Sequence, residues 1–198
     1  MASLKNSVKY PMHLSDSIRE KAKAIQLVVF DVDGVLTDGT LVYSSDGEQV
    51  KHFNVKDGVG IKLLGEFDVI PAIISAKSSA PLTRRAQDLG IQYFFPGTKD
   101  KWACLSELLA ELNVEPSQVC YVGDDVIDLK VMMRVGLAIA PKDAFWLVKE
   151  NADIVTDAMG GKGVAREVAD IILGSRMDLK DAYIKAMLPE FETLKVQK

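Results

Sequence analysis

The sequence predicts a three-layer, Rossmann-like α/β fold: a mainly parallel sheet covered by helices on both faces, with one projecting β-hairpin. Three observations carry this. Six short apolar runs recur along the 198 residues. Stretches of helical periodicity separate most of them. One segment breaks the alternation and reads as strand, turn, strand. Strands alternating with helices favour parallel pairing, because the connecting helices must cover the faces of the sheet.

In chain order, the first apolar run is Ile25–Phe30, and it leads into "DVDGVLTDG", Asp31 to Gly39. The exceptional segment follows at once: "GTLVYSSDGEQVKHFNVKDG", residues 39–58, with Asp46-Gly47 as its turn signal. It reads as a hairpin insert projecting from the carboxyl edge of the sheet. The second run, Val69–Ser75, precedes "SSAPLTRRAQDLG", a helix that Gly90 can close in the left-handed conformation. The third run, Ile91–Phe95, precedes "KDKWACLSELLAELN", which sets Trp102, Leu105, Leu108, Leu109 and Leu112 on one helical face. The fourth, Gln118–Val122, leads through "GDD" to "DVIDLKVMMRVG", read as a helix stopping at Gly136. Leu137–Ala140 and the short Ile154–Val155 complete the sheet, and "GKGVAREVADIIL" is the last amphipathic helix. The tail, about 175–198, reads as a weak helix interrupted by Pro189. Residues 1–198 thus make a single domain.

The composition narrows the function. A net charge of -4 offers no basic field for nucleic acid. No apolar run approaches the roughly 18 residues that would suggest a membrane span. The N-terminal "MASLKNSVKYPMHLSDSIRE" has no apolar core of a signal peptide, so a cytoplasmic protein is expected. Cys104 and Cys120 have no metal-type spacing and read as small core residues. His13 and His52 read as surface or hairpin residues rather than metal ligands.

Ligands of open α/β sheets bind at the carboxyl ends of the strands. The first strand ends in Asp31 and Asp33, the second in Ser75, and the fourth in Asp124, Asp125 and Asp128; after the third, Lys101 opens a helix. So many carboxylates repel one another unless a cation joins them, and an oxygen-rich site of this kind suits Mg²⁺. Asp31 and Asp124 are best placed as direct ligands, and Asp128, one turn after Asp124, can orient them. Ser75 offers a hydroxyl and Lys101 a compact positive charge, which together suit a phosphoryl group. Asp31 can also act as a nucleophile. Asp33 beside it can protonate a leaving alkoxide and then deprotonate water, while Gly34 lets the chain turn sharply. Taken singly, each residue has an ordinary reading as a turn, cap or solvated helix residue. Their joint occurrence in this order is what points to phosphate chemistry.

In that order "DVDGVLTDG", Ser75, Lys101 and "GDDVID" resemble the four motifs of the haloacid dehalogenase superfamily of phosphatases. The likeness is strongest to its cap-less members that act on 3-deoxy-sugar-acid phosphates such as octulosonate 8-phosphate, and it covers about residues 25–173. "HFNVKDGVGIKLL", "DVIDLKVMMRVGLAIAP" and "NADIVTDAMGGKGVAREVADIIL" share in it. The resemblance implies Mg²⁺ held by the Asp31 carboxylate, the Asp33 carbonyl and Asp124. It implies Asp31 as nucleophile of an aspartyl-phosphate route, Asp33 as acid/base, Ser75 and Lys101 on the phosphate, and Asp57 and Gly58 among the substrate-binding residues. It also implies a place in lipopolysaccharide precursor synthesis and a homotetramer, with packed hairpins and a neighbour's tail near the site. The loop lengths agree: neither the stretch from Asp33 to Ser75 nor that from Ser75 to Lys101 has room for a cap domain.

Two positions depart from the group's usual pattern. Ala76-Lys77 stands where Gly-Arg is common, and Lys162 occupies "GGKG" where Arg is common. A sugar acid carries a carboxylate as well as a phosphate, and Lys56, Lys77, Arg85, Lys162 and Arg166 are the cations that can meet it. Lysine supplies charge without a planar two-point grip, so looser selection is expected, extending to nonulosonate 9-phosphates. Two other classes compete: a silent oligomerisation module of the same fold, and a phospho-accepting receiver domain. A silent module is free to lose motif residues, all of which are present here, and a receiver needs an acceptor aspartate on a later strand, where this chain has Ser75 and "FFPG".

Overall fold

A computed structural model describes residues 14–187. Six parallel strands form the main sheet: β1 (Leu27–Phe30), β4 (Ile70–Ser75), β5 (Tyr93–Pro96), β6 (Val119–Val122), β7 (Leu137–Ala140) and β8 (Ile154–Val155). Their order is β5-β4-β1-β6-β7-β8. A separate antiparallel ribbon pairs β2 (Val42–Ser44) with β3 (Gly47–Val50).

The strands read as continuous apolar runs because both faces are covered. Along β1, Val28 and Phe30 enter one core while Leu27 and Val29 enter the other. On β6, Cys120 and Val122 share the first core, and Val119 and Tyr121 the second. The first core is closed by helices α1 (Asp16–Ala24), α2 (Val55–Glu66), α3 (Ala80–Leu89) and α7 (Val164–Arg176). The second is closed by α4 (Lys101–Leu112), α5 (Leu129–Met132) and α6 (Trp146–Asn151).

The register positions the site. Phe30 lies level with Ile73 on one side and Val122 on the other. Asp31, Ser75 and Asp124 therefore emerge side by side, and the Asp31 amide continues the ladder with a 2.9 Å bond to the Val122 carbonyl. Local chemistry fixes the helix that follows β5: the Asp100 carboxylate accepts from the Ala103 amide at 3.1 Å, and Asn113 closes α4 at φ 52°. Lys101 thus becomes the first helical residue, pointed back at the sheet edge.

Four details differ from the sequence reading. The ribbon ends at Val50 rather than near residue 58. Asn54 accepts from the Lys56 amide at 2.9 Å and starts α2, so Lys56, Asp57 and Gly58 are helical. The segment read as a helix from Asp125 to Gly136 holds a single helical turn, because the backbone before it wraps around the Asp128 carboxylate. Helix α1 had no counterpart in the reading, since its one buried residue, Ala22, leaves too faint an apolar stripe. Cys120 is fully buried but Cys104 only half-buried. Beyond α7, α8 (Leu179–Met187) follows, its Tyr183 hydroxyl on Asp170 of α7. His13 and Pro189 lie outside the described residues. No helix among those described is long and apolar enough to cross a membrane.

Candidate active site

At the carboxyl edge of β1, β4 and β6 a buried lysine joins two buried carboxylates. Lys101 Nζ is 2.8 Å from Asp31 Oδ2 and 2.7 Å from Asp128 Oδ1. Its side chain is only 2% exposed. Burial opposes its charge, but Asp31 and Asp128 outweigh that and raise its pKa above the ordinary 10.5. Asp128 turns both oxygens inward. Oδ1 accepts from Lys101 and from the Tyr121 hydroxyl at 2.7 Å, and Oδ2 from the amides of Asp124 and Asp125 at 3.1 and 3.3 Å. It organises the "GDD" loop and orients Lys101. Gly123 is required there, since a Cβ would sit 2.5 Å from that of Asp128.

Asp124 completes the cluster. Asp31, Asp124 and Asp128 each bring an oxygen within 4.8 Å of the others. Asp124 Oδ1 is buried with no hydrogen-bond partner, which is costly for an ionised oxygen. Three carboxylates against one ammonium leave two negative charges uncompensated. Burial first, then Asp128, raises the Asp31 carboxyl to about 6 against the pull of Lys101. Burial, then Asp31 and Asp128, raises Asp124 to about 8. A hard divalent cation with oxygen preference fits both the charge and the orphaned oxygen.

The remaining catalytic candidates stand around this cluster. Ser75 ends β4, buried, its hydroxyl accepting from the Lys77 amide at 3.3 Å. Asp33 lies partly exposed at the start of the turn, its Oδ1 2.5 Å from Lys51 Nζ. The turn depends on Gly34, at φ +87°, where a Cβ would fall 2.0 Å from Asp124 Oδ2. The "GGKG" loop backs it: a Cβ on Gly160 would meet the Gly34 carbonyl oxygen at 2.2 Å, and the Gly161 amide donates to the Val35 carbonyl at 2.9 Å.

This edge has relatives. The haloacid dehalogenase-like hydrolase family model matches residues 84–168. The 3-deoxy-D-manno-octulosonate 8-phosphate phosphatase of Yersinia pestis is 43% identical over 169 residues, covering 85% of this chain and 90% of that protein. The chain belongs to the haloacid dehalogenase-like hydrolases, in the group of these phosphatases. It is a phosphoric monoester hydrolase by that membership. Solved structures agree across the fold. The Moraxella catarrhalis phosphatase, in complex with magnesium ion, phosphate ion and KDO, superposes with a TM-score of 0.82 at 38% identity, covering 87% of this chain and 98% of that one. The cobalt-bound Haemophilus influenzae phosphatase gives 0.79 at 40%, covering 83% and 99%.

In this hydrolase the cations expected at the mouth have different surroundings in the single chain. Lys77, two residues past Ser75, reaches the ribbon, its Nζ 3.4 Å from the Tyr43 hydroxyl. Lys56 and Lys162 are exposed. Arg166 points to α8, stacked 4.3 Å from the Tyr183 ring. Arg85 donates to the Asn54 carbonyl at 3.2 Å and lies over Phe53. Gly58 leaves room for it, since a Cβ there would be 2.5 Å from the guanidinium. Asp57 is buried and caps α7, accepting from the Ala165 and Arg166 amides at 2.7 and 3.3 Å. Asp57, Gly58 and Arg85 thus have packing roles in this structure. Sequence reasoning missed Tyr121 and Lys51. Tyr121 reads as one more apolar strand residue, and Lys51 as a solvated hairpin charge.

Proposed function

We propose that the chain is a Mg²⁺-dependent phosphatase of a 3-deoxy-2-ulosonic acid, hydrolysing 3-deoxy-D-manno-octulosonate 8-phosphate to the free acid and phosphate, as a step in making a lipopolysaccharide precursor. The observation that carries this is the Asp31–Lys101–Asp128 cluster with the orphaned Asp124 oxygen beside it. Its support is the identity of more than two-fifths to the Yersinia phosphatase. Asp31, Asp124 and the Asp33 carbonyl would hold the cation. When bound, it supplies positive charge for the phosphoryl oxygens.

The chain's own residues account for the rest. Lys101, already on Asp31 Oδ2, keeps that carboxylate oriented and brings charge toward the phosphate. The Asp31 oxygen forms a bond to phosphorus as the ester P–O bond breaks, and Asp33 gives its proton to the departing alkoxide. Asp33, now a carboxylate, takes a proton from water as that water attacks phosphorus, and Asp31 is released. Ser75 donates its hydroxyl to a phosphoryl oxygen. The chain works in this reading as a cap-less single domain in the cytoplasm, in a homotetramer whose ribbons pack together.

The test is phosphate release from octulosonate 8-phosphate, nonulosonate 9-phosphate and p-nitrophenyl phosphate, with Mg²⁺ and with EDTA. Release is expected with Mg²⁺, loss with EDTA, and abolition in a folded Asp31→Asn variant, whose amide is a poor nucleophile and a poor Mg²⁺ ligand. Near-normal turnover by that variant sinks the covalent route. A wild type with no phosphatase activity sinks the reading.

A further inference from the structure

Lys51 is the residue of the ribbon that its surroundings least explain. Leu41 to Asp46 are all exposed, yet Lys51, one residue beyond β3, has a side chain only 1% exposed. Its ammonium lies 2.5 Å from Asp33 Oδ1 and 2.5 Å from Glu48 Oε1, the latter three residues back on the same ribbon. A buried ammonium between these two side chains is a fixed point: Glu48 pairs its charge, and Asp33 Oδ1 accepts from it whether or not the other oxygen of Asp33 carries a proton. Among the described residues, Lys51 is the side chain hydrogen-bonded to the Asp33 carboxylate.

We propose that Lys51 is a positioning residue for the reaction: it pins one oxygen of Asp33 and so aims the other at the leaving group. The proposal rests on the reading of Asp33 as acid/base. Lys51 keeps its proton throughout. The proton that moves is on the free oxygen of Asp33, passing to the alkoxide as the P–O bond breaks and being recovered from the attacking water. Glu48 holds the ammonium from the ribbon side, so the ribbon's placement and the aim of Asp33 are one geometry.

The test uses the full chain with Mg²⁺ and octulosonate 8-phosphate. In Lys51→Met, kcat is expected to fall about 10- to 100-fold, the scale of a catalytic group misplaced by about 1 Å. KM is expected to stay within about twofold, and Lys51→Arg, which keeps the charge, to regain part of the loss. The deciding arm is a double-mutant cycle: in an Asp33→Asn background, Lys51→Met is expected to cause no further loss, because its effect passes through Asp33. A fold defect would reduce both backgrounds alike. If Lys51→Met does not fold, Lys51→Gln, which keeps a donor for the two carboxylates, goes through the same cycle. Wild-type kcat in the Lys51 variant, a change in KM alone, or full additivity with Asp33→Asn overturns the proposal. Inactivity of the wild type, or activity of Asp31→Asn, speaks instead against the parent reading.

Discussion

Asp31 and Asp124 make the response of the site to pH a matter of residue chemistry. Both carboxyls are raised above their ordinary 3.8, to about 6 and about 8. Between the ordinary value and the raised one, the folded protein binds more protons than the unfolded chain. The site's contribution to stability therefore falls as pH climbs through that interval and levels off above about 8. A divalent cation competes with those protons and binds the ionised cluster best. Melting followed at about pH 5 and about pH 8.5 is expected to show a larger Mg²⁺-induced rise in Tm at the higher pH. An equal rise at both would mean that the cation binds elsewhere. Lys77 offers a second residue-scale test. It is within reach of Ser75 through its backbone and of Tyr43 through its ammonium. If it meets the substrate carboxylate, Lys77→Ala raises KM for sugar-acid phosphates by about 10- to 100-fold, the worth of a charged hydrogen bond. It would leave p-nitrophenyl phosphate, which has no carboxylate, nearly unchanged. Equal loss on both would assign Lys77 to the phosphate or the fold.

Elements, rather than side chains, decide how tightly the site is built. The turn after β1 and the "GGKG" loop before α7 touch backbone to backbone, and glycines make that contact possible. Gly34→Ala places a methyl on Asp124 and forces a residue with a side chain to φ +87°. Gly160→Ala drives one into the Gly34 carbonyl. Each is expected to cost about 1–3 kcal/mol by overpacking and to weaken Mg²⁺-dependent turnover. Gly65→Ala, late in α2 with nothing within 4 Å of its Cβ, is expected to stabilise by about 0.4–1 kcal/mol. Thermal melts of the three variants check this contrast; a Gly160→Ala protein as stable as the parent would refute the packing argument. The same scale shows what the sequence could reveal. All six strands of the sheet were legible as apolar runs: β1, β6 and β7 are buried on both faces and must be apolar throughout, and the edge strands β5 and β8 are short apolar runs as well. The edge cluster was legible too, because parallel strands bring their carboxyl ends together whatever their separation in sequence. Asp57 was not: it caps a helix that begins 107 residues later, and no local pattern records such a partner. Nor was Lys51, whose burial arises only when the ribbon folds back onto the turn after β1.

At the scale of the whole molecule, the ribbon is what a lone chain leaves unfinished. Leu41, Val42, Tyr43 and Val50 are exposed, and Val55 at the start of α2 is 78% exposed. A two-stranded ribbon is marginal in water by itself, and contiguous apolar surface of this kind marks an interface. Packing ribbons from four copies would cover it and put neighbouring surface beside a site that has no cap domain among the described residues. Static light scattering at micromolar concentration is therefore expected to give the mass of four chains; a stable monomer would rule the assembly out. Val42 and Val50 are cross-strand partners, so Val42→Glu with Val50→Glu sets two like charges opposite each other in the covered surface. This pair of changes is expected to dissociate the assembly while leaving the core of each chain intact, as measured by far-UV circular dichroism. Because Lys51 and Glu48 tie the same ribbon to Asp33, dissociation is also expected to lower kcat. The Mg²⁺ concentration giving half-maximal activity would change little, since Asp31 and Asp124 follow β1 and β6 of the sheet rather than standing on the ribbon. A dissociated variant with undiminished kcat would show that the ribbon serves assembly alone.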